Sequence, residues 1–298
     1  VSPTAGHEIS GVIEALGSDV PESWPDGSSV LHSHVVVHPQ LACGECANCR
    51  AGYWTGCERT ETIRLIGLHR DGGFAEYLTA PLDHLVQVPN TLSLANAALA
   101  EPLAVAIHAV NVRGEMDRSE PVAVMGDGSI GLLTARLLML WGFSDVSLIG
   151  RHAGRLSVGS AMGLERRQLI DAASVAYGES YRTVFQTAGT QEALESGLGS
   201  LAQGGTVVTI AYLHGDDAGL HASLIYQLIR REHTLRGACG YTLGELQHAV
   251  QLLNQATLDV TPLIGAIVSL DNIVKQGFER LVGKEKAPGK ILVQPLVS

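Results

Sequence analysis

The sequence predicts an α/β protein that carries two architectures in one chain: a doubly wound parallel sheet and, ahead of it, a smaller β-rich domain. Three observations predict this. After Pro121, apolar strand-like runs alternate with helix-like ones, the pattern of a parallel sheet with helices on both faces. Before Pro89, short β-prone runs are broken by Gly and Pro, as in a small barrel-like or irregular β domain. Residues 126–131 read Gly-Asp-Gly-Ser-Ile-Gly, a G-x-G-x-x-G match set between a strand and a helix.

Taken in order, residues 7–17 form a β-prone run that ends at a turn. Residues 35–37 form another, closed by His38-Pro39. Residues 72–78 start at a glycine turn and are expected to continue as a strand. Residues 92–99 are helix-prone, and 102–110 read as a buried helix with Pro102 in its first turn. Strands are expected at 122–125, 145–149, 184–186 and 206–210, with a helix over 130–141. An amphipathic helix over 243–254 and a last strand at 290–293 close the chain. The domain boundaries implied are 1–104, 105–238 and 239–298.

Composition narrows the function. The chain has 298 residues, 46% hydrophobic and 17% charged, which is globular rather than disordered. Twenty basic residues against 30 acidic ones give a formal net charge of −10. A nucleic-acid binder would need a basic face, so that class is disfavoured. No unbroken run of about 18 apolar residues is present, so no membrane span is expected. The opening Val1-Ser2-Pro3 has neither Met nor a secretory pattern.

Four of the five cysteines, Cys43, Cys46, Cys49 and Cys57, are spaced C-x2-C-x2-C-x7-C. Four thiolates this close suit one tetrahedral zinc with no position open to substrate. An iron–sulfur centre and a disulfide framework are the alternatives. Zinc thiolates without a secretory signal point to a reducing cytoplasm. Cys239 stands alone and reads as a buried thiol.

In the Gly-rich loop, Gly126 permits the tight turn and Gly128 lets backbone approach a pyrophosphate. Gly131 permits close helix–strand packing, and Ser129 and Ile130 open a helix whose N-terminus favours an anion. Asp127 adds a negative charge there, expected to be exposed and screened. An NAD site normally carries an acid after the second strand, about 20 residues on, to hold the ribose 2′-hydroxyl. Gly150 stands in that place, followed by Arg151. Losing a carboxylate and gaining a guanidinium suits a 2′-phosphate, so NADP is expected over NAD. Arg155 is a second candidate for the phosphate.

A reactive zinc needs about three protein ligands and an open position. His7 offers an imidazole, and Glu8 and Glu101 offer carboxylates. Neighbours on a regular strand point to opposite faces, so His7 and Glu8 can share a metal only if the backbone is irregular there. Taken singly, His32, His34 and His38 are equally plausible ligands.

Gly6-His7-Glu8, the cysteine lobe, Gly72-Gly73-Phe74-Ala75-Glu76-Tyr77, Glu101-Pro102-Leu103-Ala104-Val105-Ala106 and the Gly-rich loop occur in this order. Together they resemble the zinc-dependent medium-chain dehydrogenases, closest to the polyol branch. Arg236-Gly237-Ala238-Cys239-Gly240-Tyr241 is similar to the butanediol dehydrogenases of that branch. The resemblance implies a GroES-like catalytic domain in two chain segments, with a Rossmann domain between them. It implies that Cys43, Cys46, Cys49 and Cys57 hold a structural zinc, and that His7, Glu8 and Glu101 hold or approach a catalytic one. It also implies hydride transfer between a secondary alcohol or polyol and the nicotinamide, in a homodimer or homotetramer. In the family a further zinc-ligating Cys precedes Gly-His-Glu by roughly 30 to 40 residues. The sequence starts six residues before His7, so the catalytic zinc of this chain is expected to be weakly held or lost. A non-catalytic protein that keeps the fold and only the structural zinc is therefore the rival expectation.

Overall fold

The computed structural model describes residues 2–165, 168–174, 178, 180–214, 221–255, 257–283 and 288–295. In chain order the strands are β1 (Ile9–Val12), β2 (His34–Val37), β3 (Gln40–Leu41), β4 (Arg64–Leu65), β5 (Leu85–Val88), β6 (Val122–Met125), β7 (Val146–Gly150), β8 (Leu169–Asp171), β9 (Tyr181–Gln186), β10 (Leu201–Thr209), β11 (Thr234–Gly237), β12 (Ile264–Ser269) and β13 (Lys290–Gln294). The helices are α1 (Ala47–Arg50), α2 (Leu94–Ala97), α3 (Ala100–Arg113), α4 (Ser129–Leu140), α5 (Ala153–Ala161), α6 (Gln191–Gly199), α7 (Ala222–Arg231), α8 (Leu243–Asn254) and α9 (Glu279–Val282). The chain divides into two compact units. One comprises Val1–Ala104, Tyr241–Ala287 and Ile291–Ser298, and the other Val105–Gly240 with Pro288–Lys290.

The second unit is built on a six-stranded sheet in the order β11-β10-β9-β6-β7-β8. Its strand pairs are parallel throughout. All four residues of β6 and all five of β7 are buried, as expected where helices cover both faces. Leu132, Leu133, Leu137 and Leu138 of α4 are fully buried. Gly131, Thr134 and Ala135 are buried with them, so the helix is covered on nearly every side, as in the core of a large domain. The strand order reverses direction between β6 and β9, and open α/β sheets bind ligands at such a switch point. The Gly-rich loop leaves β6 at that place.

The first unit holds a three-stranded antiparallel sheet, β1-β2-β5, and two short pairs, β3-β4 and β12-β13. Val36, Val86 and Val88 are buried on one face of it and Val35 and Val37 on the other. Helix α8 starts at a capping box. The Thr242 hydroxyl accepts from the Glu245 amide, and the Glu245 carboxylate accepts from the Thr242 amide at 2.8 Å.

One expectation needs correction at this level. Residues 72–78 are not a strand but a run of bends and loop. The amides of Gly72, Gly73 and Phe74 donate to the carbonyls of Thr4, Gly6 and Ala5, so the segment is tied to the chain ahead of β1. The backbones come so close that a Cβ on Gly72 would stand 2.2 Å from the Gly6 oxygen, which leaves no room for the side chains of a regular ladder. The stretch Leu94–Arg113 is long and apolar enough to cross a membrane by length and composition, but 72% of its most apolar window is buried inside the protein, as in a core helix.

Candidate active site

Two groups of metal-ligating side chains come together among the described residues, both in the first unit. The first is Cys43, Cys46, Cys49 and Cys57, whose sulfurs all lie within 4.8 Å of one another. Cys46 caps α1 and its sulfur accepts from the Cys49 amide at 3.5 Å. Cys57 ends the short helical turn Trp54–Gly56. All four are free thiols, and Cys49 and Cys57 are buried beside Trp54. Backbone amides aimed at the sulfurs, above all that of Cys43, pull the Cys57 thiol down to about 6. The Cys46 thiol is lowered chiefly by the Glu58 amide. Burial pushes the Cys49 thiol up to about 12. Zn–S bonds of ~2.3 Å make a tetrahedron with sulfur–sulfur edges of about 3.8 Å. The Cys43–Cys49 separation of 3.7 Å fits that edge. Four sulfur donors at this spacing, with amides that favour thiolate, fit a closed zinc site.

The second group is His7, Glu8 and Glu101, again with ligand atoms within 4.8 Å of one another. The irregular backbone that the His7–Glu8 pair requires is present. Gly6 has φ +97°, the strand begins only at Ile9, and a bend lies between. Gly6 is packed against Phe74, and the glycines at 67 and 72 let three backbone segments meet there. Glu101 arrives from the first turn of α3 and is buried. Two carboxylates and one imidazole suit zinc as a borderline cation, and they leave coordination positions to spare.

Tyr241 was not singled out by sequence reasoning for this group. It sits just ahead of the α8 capping box, 140 residues from Glu101, and its hydroxyl donates to Glu101 Oε1 at 3.1 Å. It is buried, and burial together with the charges of Glu101 and Glu8 holds its hydroxyl protonated well above the ordinary tyrosine range. Behind it the His38 ring lies 4.7 Å from the Tyr241 ring and 4.6 Å from Trp54, and Trp54 stacks on His84 at 4.0 Å. His38 is therefore a core residue and is not part of either ligand group. Burial pulls its imidazole down to about 4.

In the second unit the Gly-rich loop has the shape the motif requires. Gly126 has φ +123°, and a Cβ there would meet the Thr187 hydroxyl at 2.4 Å. A Cβ on Gly131 would stand 1.9 Å from the Gly126 carbonyl oxygen, so helix and loop pack without space for a side chain. Gly128 caps α4 with open space beside it, and Ser129 and Ile130 follow as the first helical residues. Gly150 ends β7, Arg151 is exposed directly after it, and Arg155 lies on α5.

Asp127 corrects the expectation of a screened surface charge, because it is only 5% exposed. Its Oδ2 accepts from the amides of Arg151 at 2.8 Å and His152 at 2.7 Å, and His152 Nδ1 lies 3.0 Å from Oδ1. Burial opposes its ionisation, but these bonds outweigh burial and hold the carboxyl below its ordinary range. Arg155 is 3.7 Å from Asp127 Oδ1, so its guanidinium is engaged by that carboxylate. Cys239 is the other correction. It is exposed in the loop that follows β11, with its sulfur 3.6 Å from the Tyr212 hydroxyl.

Comparison with known proteins places these features. Residues 2–90 match the family described as alcohol dehydrogenase GroES-like domain. Residues 129–255 match the family described as zinc-binding dehydrogenase. Galactitol 1-phosphate 5-dehydrogenase of Escherichia coli K12 is 26% identical, over 98% of this chain and 84% of its own length. Sorbitol dehydrogenase of Bacillus subtilis is 25% identical, over 97% and 81%. Among solved structures, a zinc-binding dehydrogenase from Sinorhizobium meliloti bound to NADP superposes with a TM-score of 0.82 at 27% identity, over 98% and 84%.

Proposed function

Because the chain belongs to the zinc-dependent medium-chain dehydrogenases, in their polyol branch, and is an oxidoreductase, we propose that it moves a hydride between a secondary alcohol or polyol and NADP(H). The observation that carries this reading is the meeting of His7, Glu8 and Glu101 within 4.8 Å. A zinc ion held by His7, Glu8 and Glu101 would supply a Lewis acid that lowers the pKa of an alcohol. The Tyr241 hydroxyl fixes one oxygen of Glu101, so the carboxylate stays turned toward the group. His7 is exposed, which keeps this side open to a small-molecule substrate.

On the cofactor side, Gly126, Gly128 and Gly131 let backbone and the α4 N-terminus approach a pyrophosphate, with Ser129 and Ile130 presenting the first helical amides. Arg151 binds the 2′-phosphate beside Gly150, where a carboxylate would otherwise select NAD. The NADP held by a relative of similar fold supports this assignment. Arg155 contributes through Asp127 rather than by direct contact.

The cysteine group takes the structural role and leaves the reactive one to the acidic group. Its thiolates suit a reducing, cytoplasmic setting. Exposed Ile225, Tyr226 and Ile229 on α7 support assembly with further copies into a homodimer or homotetramer.

The test is a panel of secondary alcohols and polyols assayed for NADP+ reduction, alongside a zinc count on the same protein. The expected result is turnover with at least one polyol and two zinc ions per chain. No turnover on any member, with only one zinc per chain, would overturn the reading and favour a non-catalytic protein.

A further inference from the structure

Position 150 ends the second strand of the doubly wound sheet, where NAD-selecting sites carry their ribose-binding acid. Gly150 is not among the glycines with positive φ, so its backbone does not demand glycine. Space does. A Cβ built on Gly150 would stand 2.6 Å from both Cβ and Oδ2 of Asp127. Contacts below 3.0 Å force something to move, and a short side chain whose own Cβ is in the way has little freedom to do so.

Asp127 is also tethered. Oδ2 is held by the amides of Arg151 and His152, and Oδ1 faces the His152 ring at 3.0 Å and the Arg155 guanidinium at 3.7 Å. Its carboxylate is committed to these groups rather than free for a ribose hydroxyl. Because Asp127 lies inside the Gly-rich loop, one side chain ties the phosphate-binding turn to the turn after β7. It also draws Arg155 inward and leaves Arg151 as the exposed guanidinium at that edge.

We propose that Asp127 and Gly150 form a coupled pair that sets cofactor choice. Asp127 anchors the turn that presents Arg151, and it bars any side chain, including an NAD-selecting acid, from position 150. The inference deepens the NADP reading and rests on it only for the direction of the preference. Its consequence is that cofactor preference cannot be reversed at position 150 alone. In a chain carrying both Asp127→Gly, which removes the obstructing Cβ as well as the carboxylate, and Gly150→Asp, the new carboxylate enters the vacated space, accepts from the same amides and reaches the ribose.

The test is a four-member cycle of wild type, Asp127→Gly, Gly150→Asp and the double variant. NADPH and NADH dissociation constants are measured by fluorescence titration, with melting temperatures alongside. Gly150→Asp alone is expected to lower the melting temperature and weaken both nucleotides. Adding Asp127→Gly is expected to restore melting and to tighten NADH about tenfold over the single variant, as for residues in direct contact. The proposal is overturned if Gly150→Asp alone melts like wild type and binds NADH as well as the double variant, or if the double variant is no better than the single one. Should Gly150→Asp fail to fold, Gly150→Ala is read in the same way: rescue by Asp127→Gly supports the pair, and no rescue overturns it. A wild type that prefers NADH contradicts the NADP reading alone, because coupling is read from the difference between single and double variants.

Discussion

At the residue scale, Tyr241 shows how a distant side chain can complete a site. It brings a protonated, buried hydroxyl to Glu101 Oε1. Tyr241→Phe keeps the ring and removes the donor. We expect it to lower stability by about 1 kcal/mol, the net worth of such a bond, and to reduce zinc retained by the His7–Glu8–Glu101 group. Denaturant unfolding and metal analysis check both effects. His38 gives a pH prediction. Its imidazole falls from an ordinary value of 6.5 to about 4 because it is buried, so the unfolded chain binds the extra proton first. Stability from this group is complete above pH 6.5 and declines as pH falls toward 4. The loss between pH 8 and pH 5 is about 2 kcal/mol. Urea unfolding at the two pH values should show that loss in the wild type and a smaller one in His38→Phe. Neither role was legible in the sequence. A lone Tyr or His carries no pattern, and the Tyr241–Glu101 contact spans 140 residues. His7, Glu8 and Glu101 were legible as possible ligands by residue type, but only the order of several motifs set His7 apart from His32, His34 and His38. Asp127 was misread because G-x-G-x-x-G constrains the glycines and says nothing of where the intervening side chain turns.

At the element scale, the cysteine lobe depends on its sulfurs more than on packing. Its buried apolar core is Cys49, Trp54 and Cys57, with only partly buried neighbours around it. Stripping zinc with a chelator, or Cys49→Ser, should therefore loosen this lobe first. Trp54 emission should shift and protease cuts should appear within residues 43–57, while the second unit retains its secondary structure. Helix α8 depends on its cap, and Thr242→Ala should cost about 1 kcal/mol in denaturant unfolding. The lobe was legible because cysteine spacing is a local signal. The strand expected over residues 72–78 was wrong for a non-local reason: its amides are used by residues 4–6, and alternation alone does not show where a backbone finds partners. The short strands β8 and β11 also escaped notice. Each has three or four residues, none of them buried, so neither makes an apolar run.

At the scale of the whole molecule, the parallel sheet was the most legible feature. Its strands β6 and β7 are buried on both faces and read as continuous apolar runs, with the Gly-rich loop between them. The order β11-β10-β9-β6-β7-β8 was not in the sequence as such, but a right-handed alternating chain has few other ways to place its strands. The β-rich unit was legible only as short punctuated runs, since its separate small sheets are paired through turns rather than by periodicity. Cofactor choice rests on Gly150, Arg151 and the anchor beneath them. The most direct test is kcat/KM for one active secondary alcohol with NADP+ and with NAD+, in wild type and in Arg151→Ala. We expect at least about a tenfold preference for NADP+ in the wild type, the worth of one guanidinium–phosphate contact, and its loss in the variant. Equal use of both cofactors, unchanged by the substitution, would contradict it.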